Sequence, residues 1–127
     1  MKLLAYEVDK RSFLGVLNED ETWVYPVSAA GMEYRSMKDL IREAGPSEME
    51  MLDYISKKMP GDVTGAASVE EIKVVSPIAE PDQDIICLGI NYMDHAKESA
   101  RFQKEEFSKP EKAIYFSKRV NRTNDPD

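Results

Sequence analysis

An α+β fold is predicted by three features of this 127-residue chain. The first third alternates apolar and polar residues at period two. The middle carries two stretches of helical periodicity with start signals. The last third has short apolar runs separated by charged segments. The expected architecture is a small N-terminal domain at residues 1–76, built as a β meander with two helices. A connector follows at 77–83, and then an incomplete, mostly β domain at 84–127.

Lys2–Val8 places Leu4, Tyr6 and Val8 on one face of a first strand. Asp9-Lys10-Arg11-Ser12 supplies a polar turn, Phe13–Leu17 a second strand and Asn18-Glu19-Asp20-Glu21 a second turn. Thr22–Val27 forms a third strand with Trp23, Val24 and Tyr25, and Pro26 makes it an edge or ends it. Ser36 precedes the stripe Met37, Leu40, Ile41 and Ala44, with Asp39 closing a variant capping box and Gly45-Pro46 stopping the helix. Ser47 and Glu50 form a fuller box for a second helix, whose apolar side is Met49, Leu52, Ile55 and Met59. Gly61–Ser68 reads as a loop and Val69–Val75 as a further strand. Pro77 and Pro81 stiffen the connector. Beyond it, Asp84–Gly89 reads as a buried strand, Asn91–Glu98 as a turn into a helix, residues 101–112 as a charged loop, and Ala113–Ser117 as another apolar strand.

Composition narrows the function classes. With 42% hydrophobic and 32% charged residues the chain is of ordinary soluble type. No apolar run approaches the ~18 residues of a membrane helix, acid comes too early for a signal peptide, and the single cysteine, Cys87, cannot form an internal disulfide. Together these point to a cytoplasmic protein without a membrane partner. The net charge of −7 argues against nucleic acid. The seven basic residues after position 100 are interrupted by Glu105, Glu106 and Glu111, the pattern of a solvated face.

Few residues carry chemistry. His95, the one histidine, stands three residues before Glu98, so on a helix the two share a face. A carboxylate beside an imidazole raises its pKa and fixes its orientation, which suits a general base. From spacing alone a surface pair is the default reading. Asn91 fits an N-cap with Asp94 closing the box, and Gly89 lets the chain turn after its strand. Cys87 lies in an apolar run, as an inert buried thiol would. Lys118 follows a strand and is placed either to meet an anion or simply to face solvent. There is no metal-ligand cluster and no phosphate loop.

The order of these pieces adds a resemblance. The stretch Asp84–Glu98 contains Gly89-Ile90-Asn91-Tyr92-Met93-Asp94-His95 with Glu98 three residues on. It follows a lead-in with Pro77 and Pro81, and Phe116-Ser117-Lys118 lies downstream. This resembles the opening of the catalytic domain of the fumarylacetoacetate hydrolase family, and residues 1 to about 75 look like the small N-terminal domain of many bacterial members. The resemblance implies a β-roll-like catalytic domain and a divalent metal, usually Mg²⁺ (or Mn²⁺), gripping the oxygens of a 2-oxo or enol dicarboxylic acid. It implies that His95 is the base and Glu98 its orienting partner, with Asn91, Tyr92 and Lys118 toward the substrate. It also implies a homodimeric parent.

Two departures qualify the match. Arg119 stands where proline often follows the Phe-x-Lys, and the family's Asp/Glu-x-Glu metal ligands fall beyond Asp127. The chain is therefore expected to be a fragment or truncated gene product that binds no metal and is inactive alone. Hydrolysis, isomerisation and decarboxylation stay open. The rival reading is a non-catalytic interaction or dimerisation module, with residues 1–75 as the working unit.

Overall fold

The computed structural model describes residues 1–89 and 113–126. The chain forms two units: Met1–Ala79 together with the residues from Thr123 onward, and the residues between them, Glu80–Arg122. The fold is α+β, with seven strands and two α-helices among the described residues.

In the first unit, β1 (Leu3–Val8), β2 (Arg11–Leu17) and β3 (Trp23–Pro26) form the expected antiparallel meander. The first turn is tighter than the four residues expected. Val8 pairs directly with Arg11, leaving Asp9 and Lys10 alone in the loop, with φ of 49° and 63°. Positive φ at both central residues is the type I′ geometry, whose twist matches that of the strands it joins. In the second turn the Asn18 side chain accepts hydrogen bonds from the Thr22 and Trp23 backbone N–H groups at 2.9 and 3.0 Å. β3 ends at Pro26, as expected, but it is not an edge. The two-residue strand β4 (Ala67–Ser68), in a stretch expected to be loop, pairs with it. β5 (Lys73–Val75) pairs with β1, so the sheet order is β4-β3-β2-β1-β5.

This sheet has to curl. Laid flat, its outer strands would stand about 19 Å apart, four spacings of ~4.8 Å. Only residues 69–72 connect them, and Val69–Glu71 form a 3-10 turn. At about 2 Å of rise per 3-10 residue that link is too short for a flat sheet. The curled sheet buries its own concave face: Leu4, Tyr6 and Val24 pack with Val8, Leu17, Ala67, Ile72 and Val74. Gly15 lies at the tightest point. A Cβ there would come within 2.5 Å of Val24 Cγ2 and 2.7 Å of Tyr6 Cε1.

The other face carries α1 (Met37–Glu43) and α2 (Pro46–Ser56). Val16, Tyr25 and Val27 meet Met37, Leu40, Leu52, Ile55 and Val63 in the main core. The Tyr25 hydroxyl donates to the Lys58 carbonyl at 2.7 Å, and burial, then the charges of Asp20 and Asp62, push its pKa up, so it stays a neutral donor. Ser36 caps α1 as expected, accepting from the Asp39 N–H at 3.2 Å.

The second helix differs from the sequence expectation. It begins one residue before Ser47: Gly45 is the N-cap, Pro46 takes the first helical position, and Glu48 rather than Glu50 accepts from the Gly45 N–H at 3.1 Å. Proline is preorganised for that place and gives up an N–H that would have no helical partner. Ile41 and Met59, expected on buried stripes, are 62% and 71% exposed. Met59 lies past the end of α2, so its helical stripe stops short of it, whereas Ile41 lies within α1 on a side that no core residue among the described ones covers.

The residues after Arg122, which the sequence groups with the second domain, bond back to the first unit. Thr123 donates from its N–H to the Ala79 carbonyl and from its hydroxyl to the Ile78 carbonyl, both at 2.8 Å, and Asp125 accepts from the Ser76 N–H at 2.9 Å.

The second unit contains β6 (Ile85–Gly89) and β7 (Ile114–Lys118), an antiparallel two-stranded ribbon. The run expected to be buried is open instead: Ile85, Ile86 and Leu88 are exposed, as are Ile114, Tyr115 and Phe116. Among the described residues this two-stranded ribbon has no second layer to bury them against.

Candidate active site

β6 is apolar and β-branched at its start and stops at Gly89, and β7 begins at Ile114 directly opposite. The register runs Ile85 to Lys118, Ile86 to Ser117, Cys87 to Phe116, Leu88 to Tyr115 and Gly89 to Ile114. Period two therefore sets Ile85, Cys87, Gly89, Ile114, Phe116 and Lys118 on one face, and Ile86, Leu88, Tyr115 and Ser117 on the other. His95, Glu98, Asn91 and Tyr92 lie outside the described residues, in the stretch of chain between Gly89 and Ile114.

Lys118 is the one sequence-derived site residue that is described. It is the last residue of β7 rather than the residue after the strand, and it is exposed. Paired with Ile85, it is four residues from the Gly89–Ile114 end, roughly 13 Å along the ribbon. Cys87 is half-buried rather than buried, with its Sγ 4.0 Å from the Ile85 carbonyl oxygen. Gly89 is not required by packing: a Cβ there would meet Ile114 at 3.5 Å, an ordinary contact.

No group of three or more His, Cys, Asp or Glu side chains among the described residues is placed to hold a metal. No helix among them is long and apolar enough to cross a membrane. Two hollows that the sequence reading did not single out occur in the first unit. One, of about 440 Å³, is lined by Ser12, Leu14, Val27, Met32, Tyr34 and Arg35 among others. The second, of about 600 Å³, is lined among others by Tyr6, Val8, Arg11, Thr64 and Ala66. Phe13, Pro26 and Ser28 border both. They have no sequence signature, because they arise where the chain leaves β3.

What the described residues define as a class is an α+β unit of a curled sheet and two helices, together with an apolar ribbon that brackets the histidine-bearing stretch. No family model matches the chain. The chain is, however, similar to the oxaloacetate tautomerase YisK of Bacillus subtilis (strain 168), with 30% identity over 93% of its own length. It spans 41% of the length of that protein.

Proposed function

We propose that this chain is the N-terminal part of a divalent-metal-dependent enzyme of the fumarylacetoacetate hydrolase family that shifts a proton in a 2-oxo or enol dicarboxylic acid. The observation that carries the reading is the likeness to an oxaloacetate tautomerase along 93% of the chain, a span that includes the Gly89–Glu98 motif. Oxaloacetate is itself a 2-oxo dicarboxylate, and its tautomerisation moves a proton between carbon and oxygen. Of the three reactions left open by the sequence, this supports isomerisation over hydrolysis and decarboxylation.

The chemistry assigned to this chain is the proton transfer. His95 takes the proton from the carbon next to the carbonyl, and Glu98 orients the imidazole and favours its charged form. Asn91 and Tyr92 hold the substrate. Lys118 is assigned to the substrate side with them, at the Ile85 end of the ribbon. A divalent metal held by the Asp/Glu-x-Glu carboxylates that the family resemblance implies would polarise the substrate oxygens.

The test is keto–enol interconversion of oxaloacetate by the complete protein at saturating Mg²⁺. His95→Ala is expected to lower kcat by roughly two to four orders of magnitude, the usual range for a lost general base, with metal affinity unchanged. Glu98→Gln should lower it too, and the double variant should be little worse than His95→Ala, because residues acting as a unit are not additive. Wild-type kcat in His95→Ala would remove His95 from the mechanism.

A further inference from the structure

Two tyrosines are buried in the first unit, and their hydroxyls are in opposite situations. Tyr25 donates to the Lys58 carbonyl. Tyr6 is 2% exposed, yet its hydroxyl has no hydrogen-bond partner among the described residues. A polar group taken out of bulk water without a partner costs stability, so each such group calls for a reason. Its position follows from the sheet. Tyr6 stands on the concave face opposite Phe13 in the β1–β2 ladder, and the two rings stack at 5.5 Å. The next residue of β2 on that face is Gly15, and the Tyr6 ring takes the room a side chain there would need: a Cβ on Gly15 would lie 2.7 Å from Tyr6 Cε1. The ring therefore reaches across β2 toward β3, where Pro26 ends the strand. No side-chain polar atom sealed from solvent lacks a partner among the described residues, so the unpartnered hydroxyl must open on accessible space. The space that Tyr6 lines is the hollow of about 600 Å³.

The lining of this hollow is graded from inside to outside. Its covered part is Tyr6, Pro26, Val8, Ala66 and Ala67, apolar except for the one hydroxyl. One wall is made of small residues: Gly65, at φ 79°, sits so close to Pro26 that a Cβ there would meet Pro26 Cγ at 3.1 Å. Another is the exposed ring of Phe13. A ring beside small side chains suits a flat apolar body. Burial raises the Tyr6 pKa, so the hydroxyl stays protonated and offers a donor. An ion brought against it would give up its hydration for a single neutral partner, which does not compensate. At the exposed rim Asp9 and Arg11 offset each other, so the hollow favours neither sign of charge.

We propose that this hollow is a binding site for a small uncharged molecule with a flat, mostly apolar body and one carbonyl acceptor. The acceptor meets the Tyr6 hydroxyl, and the body lies along Phe13, Ala66 and Ala67. The site is independent of the enzymatic reading, since it uses no residue between Gly89 and Ile114.

The probe is acetophenone, titrated into the 127-residue chain and followed by backbone amide chemical shifts. The expected result is saturable shifts at Val8, Phe13, Gly65 and Ala66, with the millimolar affinity suited to so small a molecule. Tyr6→Phe keeps the ring and removes only the hydroxyl. It should weaken acetophenone by roughly three- to tenfold, the worth of one hydrogen bond. Benzene, which has the ring and no carbonyl, should bind the two forms alike. Because the hydroxyl has no partner to lose, Tyr6→Phe should leave the urea midpoint unchanged or higher. Absence of saturable shifts at these residues overturns the proposal, as does acetophenone affinity that Tyr6→Phe leaves unchanged. Equal weakening of benzene overturns it by pointing to an altered shape rather than a lost bond. Benzoate binding more tightly than acetophenone overturns it by making the hollow an anion site served by Arg11. A lowered urea midpoint in Tyr6→Phe also overturns it, because the hydroxyl would then already be engaged.

Discussion

In the first unit β1 buries Leu4, Ala5 and Tyr6, whereas in the second β6 leaves Ile85, Ile86 and Leu88 in contact with solvent, although both are short strands of large apolar residues. The difference lies in what each strand has to pack against. β1 belongs to a five-stranded sheet that curls over one face and takes two helices on the other. β6 has one hydrogen-bonded neighbour and no layer on either side among the described residues. Hydrophobic character drives burial only where the topology supplies a surface to bury against. If the first unit is the self-sufficient one, its apolar residues should control stability while those of the ribbon should not.

The largest expected effect is at the helix–sheet core. Leu52 is fully buried, and Leu52→Ala should cost about 2–5 kcal/mol, read from the urea midpoint. A loss below about 1 kcal/mol would mean that α2 is not what closes this unit. Gly15→Ala tests the curl. Its added methyl has to displace Val24 and Tyr6, at a cost of roughly 1–3 kcal/mol, with hydrogen-exchange protection falling first in β1 and β2. An unchanged stability would show that the sheet is more open than these distances imply. Ser36→Ala removes the α1 cap and should cost about 1 kcal/mol, with Ser36→Asp restoring most of it. At the bottom of the scale, Ile86→Ser and Tyr115→Ser in the ribbon should each change stability by no more than about 0.5 kcal/mol. A multi-kcal/mol loss at either position would mean that the ribbon has a packed partner after all, and the contrast between the two units would fail.

The candidate site is a different case from the fold. The His95 and Glu98 spacing, with Asn91 and Tyr92 before it, is visible in the sequence as a motif, and those four residues lie outside the described residues. Lys118 is the case where spacing was not enough. A strand of five residues converts a sequence offset into a distance of roughly 13 Å, and only the register reveals from which end that distance is counted.

The sequence by itself determined the features that rest on one or two turns of chain: the strands read at Lys2–Val8 and Phe13–Leu17, the stop at Pro26, the Ser36 cap, and the apolar runs that became β6 and β7. Local dihedral preferences and side-chain-to-backbone hydrogen bonds are nearest-neighbour effects, so they can be read in place. Only the tertiary structure decided the rest. It set the curl that buries Leu4 and Tyr6, the pairing of Ala67–Ser68 with β3, and the exposure of Ile41 and Met59. Each depends on which distant segment arrives beside a strand or helix and how far it continues, and burial is a property of that meeting rather than of either segment alone.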